Sequence, residues 1–329
     1  MWAPVNRLVR RLVLAMLLGV AVYGGFAAYR GFAQIGARLA GFGWWAFAVA
    51  CALAFANYLL RFLKWEFYLA RLGIRGVPKL DSLLTFLSGF VLTITPGKVG
   101  EVFKSLVLSE AYGIDVARTA PIVVAERLTD VIGVVILILI GSTGFSGGLP
   151  WAAAGAALVA IALACTASDT VATRVLGAVE RAPGRLGQAA PRLRHAWESL
   201  RTLTTAPALV VPTLLSIAAW SLEGLALWVV LRGFGASTPA PLACFFYATA
   251  TLAGAIVPVP GGLGVTEGAL EQQMTHLGGL DRDVSTSAMM LVRFATLWFA
   301  VLVGFVALGW LRRRHPALRA DAAASAPVA

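Results

Sequence analysis

The chain has 329 residues, 59% hydrophobic and only 13% charged, with a mean hydropathy of +0.81, against an apolar share of about 45–50% in soluble domains. That excludes an ordinary soluble domain and reads as an all-α integral membrane protein. The net charge of +11 could suit nucleic acid, but in a membrane protein surplus Lys and Arg mark the cytoplasmic side, so no nucleic-acid partner is expected.

Arg7, Arg10 and Arg11 precede an apolar run over 12–29, expected to be an uncleaved signal anchor rather than a cleaved signal peptide. A second span over 44–60 ends in Arg61, Lys64, Arg71, Arg75 and Lys79. That basic cluster reads as cytoplasmic, with Arg61 and Glu66 as interface anchors and Trp44, Trp45 and Trp65 at the two interfaces. Residues 80–95 are apolar over about 24 Å of helix. Pro96-Gly97 then stops them, because Pro lacks the amide donor and Gly tolerates left-handed backbone. Residues 99–110 are too short and too charged to cross alone. A re-entrant pair of half-helices is expected, which membrane depth allows only where protein or a water-filled cavity satisfies the broken backbone.

A full span over 117–140 carries Glu126, Arg127 and Asp130. An uncharged loop and a returning span over 151–168 lead to a cytoplasmic basic linker, 169–207, with six arginines, which reads either as a solvated linker or as one amphipathic helix lying on anionic headgroups. Residues 208–231 cross outward, and 241–257 with 265–276 repeat the short–break–short pattern around Pro260-Gly261. The last span, 286–311, delivers Arg312, Arg313 and Arg314 to the inside, before a disordered cytoplasmic tail over 313–329. Both termini are expected in the cytoplasm. Cys51, Cys165 and Cys244 lie in apolar runs without CxxC spacing and read as buried thiols.

Two stretches organise this path. TPGKVGE (95–101) and VPGGLGVTE (259–267) share a Pro-Gly break, a glycine three positions on, and a glutamate. Leu72-Gly73 answers to Phe234-Gly235 at an offset of 162, the Pro-Gly pairs at 164, and Arg127 to Arg293 at 166. The expected fold is six full spans plus two re-entrant helical hairpins in an inverted repeat, or eight hydrophobic helices if the hairpin arms count as spans. Repeat one covers about 44–140 and repeat two about 208–311, within one membrane domain of 1–312. Opposed hairpins meeting near the midplane are the signature of an alternating-access carrier.

Each charge at the bilayer centre costs about 2.5–3.5 kcal/mol on insertion scales, so Glu101 with Arg127 and Glu267 with Arg293 are expected to pair. Such pairs either bind substrate or brace each hairpin. Lys98, beside the break, is the better ligand candidate, whereas Lys104 is expected to snorkel to the interface. Gly97, Gly100, Gly261, Gly262 and Gly264 either let backbone amides approach an anion or let two hairpin tips pack closely. Glu126 and Asp130 share a helical face and either take up a coupling proton or cation, or sit as interface charge. No Walker loop forms, because Val99 stands where Ser or Thr should follow the lysine. His195, His276 and His315 stand apart, and no zinc site or catalytic triad can be assembled from them. No catalytic residue, metal or cofactor is expected.

TPGKVGEVFKSLVL, AERLTD and VPGGLGVTEGAL with the Arg293 helix resemble the lysylphosphatidylglycerol synthase transmembrane region family, the flippase-like membrane domain, over about residues 10–312. In larger bifunctional relatives this portion moves aminoacylated phosphatidylglycerol between leaflets, and a separate soluble domain makes that lipid. A chain stopping at Ala329 is expected to lack the synthase domain. The resemblance therefore implies a stand-alone inner-membrane lipid transporter, not an enzyme, with Lys98, Glu101, Arg127, Glu267 and Arg293 as the carried positions. Its implied partners are anionic or polyprenyl-linked membrane lipids, and lipid-synthesis enzymes. Two alternatives stand: a membrane enzyme or accessory subunit of lipid or lipid-linked sugar modification, and a non-catalytic scaffold acting through the basic linker.

Overall fold

A computed structural model of the chain describes residues 32–93, 101–142, 149–168, 190–257 and 259–315, and singly 19, 21, 23–25, 28, 173, 174, 177 and 181. Every regular element among these residues is helical. The first half holds α1 (Phe32–Ala40), α2 (Trp44–Arg71), α3 (Lys79–Ser88) running into a 3-10 turn (Gly89–Leu92), α4 (Phe103–Tyr112), α5 (Val116–Thr119), α6 (Pro121–Ser142) and α7 (Leu149–Ala167). The second holds α8 (Ala190–Leu203), α9 (Ala206–Gly233), α10 (Ala240–Ile256), a 3-10 turn (Pro260–Gly262), α11 (Val265–His276) and α12 (Arg282–Arg293). A π-helical turn (Phe294–Trp298) then leads into α13 (Phe299–Arg314).

Among the described residues, three helices are long and apolar enough to cross a bilayer: Trp44–Arg71, Pro207–Gly233, and α12 through α13 taken as one, Arg282–Arg314. The 22 residues of α6 rise about 33 Å, but Glu126, Arg127 and Asp130 interrupt its apolar surface, and the first and last of these are buried. Burial among protein partners is what lets so charged a helix stand in an apolar setting.

The elements recur. Helices α2, α3, α4 and α6 begin at 44, 79, 103 and 121, and α9, α10, α11 and α12 begin at 206, 240, 265 and 282, so the starts differ by 162, 161, 162 and 161. The halves join along α2 and α9, which run antiparallel. Gly43 N donates to Gly233 O at 3.0 Å, Asn57 Nδ2 to Ala219 O at 2.7 Å, and Lys64 Nζ to Ser216 Oγ at 2.9 Å. Ala219 stands 162 residues after Asn57, so this bond joins two equivalent positions and marks the pseudo-two-fold axis. Small residues allow the close approach, as in membrane helix pairs generally. Ala46, Ala50 and Ala54 form a fully buried stripe on α2. A Cβ on Gly133 would lie 3.1 Å from the Ser216 and Ile217 backbone of α9.

The contacts also order the two ends of the bundle. At one end Arg38 pairs with Asp281, near the Gly43–Gly233 bond. At the other, Arg314 Nε binds Asp81 Oδ1 at 2.6 Å, and Tyr112 donates to Asp81 Oδ2 at 2.6 Å. The first helix–break–helix unit, α3 with α4, therefore opens at the Arg314 end. Helix α6 starts at that end, since Arg118 just before it bonds the Leu72 carbonyl. It finishes where Gly141 packs on Pro241 and Phe245, the start of α10. The second unit, α10 with α11, thus opens at the opposite end.

Several expectations shift. Helix α2 continues to Arg71 without stopping near Leu60, and the last helix reaches Arg314. Part of the expected linker, α8, is a helix with Leu203 fully buried in the core. The expected tip Pro96-Gly97-Lys98 with Gly100, most of the signal-anchor run, and residues 316–329 of the expected tail lie outside the described residues.

Candidate functional site

Three helices, α2, α4 and α6, with Glu101 just before α4, bring charge together at the centre of the first half. Arg127 Nη2 on α6 donates to Glu101 Oε1 and Oε2 at 3.0 and 2.9 Å, and lies 3.4 Å from Asp130 Oδ2. Arg61 Nη2 on α2 stands 3.7 Å from the same Asp130 oxygen and 3.9 Å from Glu101 Oε1. The other Asp130 oxygen, Oδ1, receives Lys64 Nζ at 2.6 Å and Ser216 Oγ at 3.0 Å. Asp130 therefore presents one oxygen to two guanidiniums and the other to an ammonium. Behind it Lys104 pairs with Glu126, its ammonium 4.6 Å from the Trp65 ring centre and 5.3 Å from that of Phe86. That cation–π cage offsets part of its desolvation.

Four sequence expectations fail here. Lys104 does not snorkel; at 2% exposure it is satisfied inside by Glu126 and two rings. Lys64 is no member of a cytoplasmic cluster, being 0% exposed, and Arg61 is no interface anchor at 8%. Trp65 is fully buried rather than interfacial. The common cause is the length of α2, whose 28 residues rise about 42 Å, so residues beyond Leu60 still run through the core. A polar stripe at Asn57, Arg61, Lys64 and Tyr68, spaced four, three and four, was the signal for a buried face.

The second half repeats the central pair. Arg293 Nε binds Glu267 Oε1 at 2.6 Å, and its Nη2 donates to Gly261 O at 3.0 Å. Glu267 Oε2 accepts the Gly264 amide at 2.7 Å, closing the exposed start of α11, and Tyr23 donates to Oε1 at 3.1 Å. Glutamate and arginine are 26 residues apart in both halves. Both expected pairs therefore form.

Gly261, Gly262 and Gly264 take φ of 61°, 69° and 86°, backbone that L side chains rarely adopt, and this turns the chain from α10 into α11. Gly254 of α10 meets the turn, where an added Cβ would run into the Thr266 hydroxyl and approach Gly262 Cα to 3.4 Å. Gly254→Val is expected to lower stability by about 1–3 kcal/mol through overpacking. Gly268→Ala on α11, where nothing lies within 4 Å, is expected to raise it by about 0.5–1 kcal/mol. Thermal unfolding of both in detergent checks the contrast.

Both helix–break–helix units wall one cavity of about 540 Å³. Phe90 and Thr93 come from the first, and Gly254, Gly261, Gly262 and Thr266 from the second. Into it face Arg61, Arg127 and Arg293, together with Asp130 and Glu223. Tyr247 donates to Glu223, and Tyr58 donates to Thr296 O at 2.8 Å. Thr296 sits in the π turn that follows Arg293, and such turns frequently mark functional sites. Guanidiniums with planar, forked donors suit phosphate or carboxylate oxygens.

Of the residues singled out in the sequence, Glu101, Glu126, Arg127, Asp130, Glu267 and Arg293 are all buried or half-buried at this centre. Glu126 faces Lys104 while Asp130 faces the cavity, so their shared face serves two different pairs. Gly261 and Gly262 line the cavity and Gly264 caps α11. Lys98, Gly97 and Gly100 fall outside the described residues. Sequence reasoning missed Glu223 and Tyr247 as well as Arg61 and Lys64. Among the described residues, no group of three or more His, Cys, Asp or Glu could hold a metal ion.

Comparison with curated proteins gives no match. A helical bundle with three apolar spans among the described residues and a charged internal cavity agrees with a membrane domain linked to lipid modification or flipping. Residues 12–304 match the family described as Lysylphosphatidylglycerol synthase TM region, and the chain belongs to that family.

Proposed function

We propose that the protein carries a lipid headgroup across the bilayer through its central cavity by alternating access. The observation behind this reading is the pair of helix–break–helix units, open at opposite ends of the bundle, each holding an Arg–Glu pair of the same spacing at one cavity. In this reading they are re-entrant hairpins among six full spans. The Arg314 end, which gathers Arg71, Lys79, Arg118 and Arg312–Arg314, faces the cytoplasm of the inner membrane. Arg61, Arg127 and Arg293 receive headgroup oxygens, Glu101 and Glu267 hold the arginines in place, and the acyl or prenyl chains stay in lipid. No covalent step is assigned to the cavity.

Purified protein in vesicles containing tail-labelled fluorescent phospholipids, or a labelled polyprenyl phosphate, tests the proposal by quencher access to each leaflet. Transfer faster than in protein-free vesicles is expected for at least one of these lipids. Equal rates for all of them would sink the carrier reading, and a chemically altered lipid in the extract would favour an enzyme.

A further inference from the structure

The arginines at the cavity are not equally occupied. Arg293 commits its fork to the protein, on Glu267 Oε1 and Gly261 O at 2.6 and 3.0 Å. Arg61 makes no hydrogen bond among the described residues. Its nearest carboxylate oxygens stand at 3.7 and 3.9 Å, beyond hydrogen-bond length, and its Nε is buried without a partner. The Phe90 ring, its centre 5.7 Å away, supports the guanidinium. Arg61 is thus buried, yet it faces the cavity.

Two further donors beside it are in the same state. Arg127 gives Nη2 to Glu101, but its Nε is buried and has no hydrogen-bond partner. The two guanidiniums are neighbours, standing 3.7 and 3.4 Å from the same Asp130 oxygen, Oδ2. Thr93 Oγ1 is also buried without a partner. Thr93 N closes the 3-10 turn on Phe90 O at 3.1 Å. Residues three apart in such a turn share a face, which sets Thr93 on the side of the turn that meets Arg61. Both Phe90 and Thr93 line the cavity.

Buried donors are matched as a rule, and a cluster of unmatched ones marks where a ligand supplies the acceptors. Here the donors come from three elements: α2, α6 and the 3-10 turn of the first helix–break–helix unit. Asp130 Oδ2, between the two guanidiniums, likewise accepts no hydrogen bond. A phosphodiester offers two terminal oxygens and no proton. A terminal phosphate offers three oxygens, one for each donor group, and its singly protonated form adds a P–OH that Asp130 Oδ2 can accept.

We infer that the first half of the cavity selects a terminal phosphate, a phosphomonoester carried on a lipid tail, over a phosphodiester headgroup, with Arg61 and Thr93 setting the choice. The inference rests on the reading of this cavity as a headgroup site. A phosphodiester leaves one donor group and the Asp130 oxygen unmatched, and a site built around a polar group discriminates against the analogue that lacks it.

Calorimetric binding of dihexanoyl phosphatidic acid, dihexanoyl phosphatidylmethanol, farnesyl phosphate and inorganic phosphate to the full chain tests this, in a maltoside detergent that carries no phosphate. Phosphatidylmethanol differs from phosphatidic acid by one methyl cap. At about pH 5, below the second phosphate pKa of about 6, both carry one negative charge, so a difference reports the oxygens and the P–OH rather than net charge. Phosphatidic acid, farnesyl phosphate or both are expected to bind at least about tenfold tighter than phosphatidylmethanol, and the tighter of the two identifies the tail. Arg61→Gln and Thr93→Val should each shrink that ratio, whereas Arg293→Lys should leave it unchanged. The methyl cap changes the ligand and not the protein, so the test survives a variant that fails to fold. Equal affinity of phosphatidylmethanol and both terminal-phosphate lipids for the wild-type protein overturns the inference and leaves the headgroup site standing. Absence of binding by all three lipids overturns both. Inorganic phosphate binding as tightly as the lipids would keep the selectivity for a terminal phosphate and overturn a lipid as its source.

Discussion

Lys64→Met is expected to destabilise the protein by about 3–5 kcal/mol, the usual cost of removing one partner from a buried ion pair. The ammonium is 0% exposed and donates to Asp130 Oδ1, Ser216 Oγ, Thr129 Oγ1 and the Glu126 carbonyl. Without it Oδ1 retains only Ser216, and the remaining cations stand 3.4 and 3.7 Å from the other oxygen. Methionine fills the volume, so the loss reports charge rather than a cavity. The double variant Lys64→Met/Asp130→Asn removes both charges and is expected to recover a large part of the loss. Lys79→Met makes the contrast, because its side chain is 82% exposed beside Glu66, and exposed pairs contribute at most about 1 kcal/mol. Detergent unfolding curves measure all three. A Lys64→Met loss no larger than that of Lys79→Met would show that water, not Asp130, satisfies the ammonium.

That contrast also shows how far the sequence could be read. The Pro260-Gly261 break, the recurring helices and the two Arg–Glu pairs were visible because each rests on a local or periodic rule: proline and glycine interrupt helices, and a duplicated plan repeats its offsets. Lys64 and Lys79 belonged to one basic cluster in the sequence, yet one is fully buried and the other is solvated. Charge counting assigns sides to residues outside the membrane, and it misassigns a lysine whose helix continues through the core. Glu223 was hidden for a different reason. It stands alone in an apolar run, and only the folded bundle sets it at the cavity wall with Tyr247 of α10 bonded to it.

Arg127→Ala and Arg293→Ala are each expected to lower lipid transfer in vesicles by about 10–100-fold, since each deletes charge-assisted bonds worth about 1.5–3 kcal/mol. Arg127→Ala removes two bonds to the Glu101 carboxylate, at 3.0 and 2.9 Å. Arg293→Ala leaves Glu267 with the Gly264 amide at 2.7 Å and Tyr23 at 3.1 Å, so folding free energy is retained there and the loss of transfer can be read apart from unfolding. Arg293→Lys sharpens this, because one ammonium does not reproduce a fork that binds Glu267 with Nε and Gly261 with Nη2. It is expected to fold and to transfer poorly. Neutralising Arg192, Arg194 and Arg201 on α8 should leave transfer within about twofold of wild type, as exposed charges far from the cavity are screened. Severe loss on α8 with near-normal transfer by Arg293→Lys would place function in the basic helix, as a scaffold requires. The opposite order is what a carrier demands, because a headgroup passing between opposed hairpins meets both arginines in every cycle.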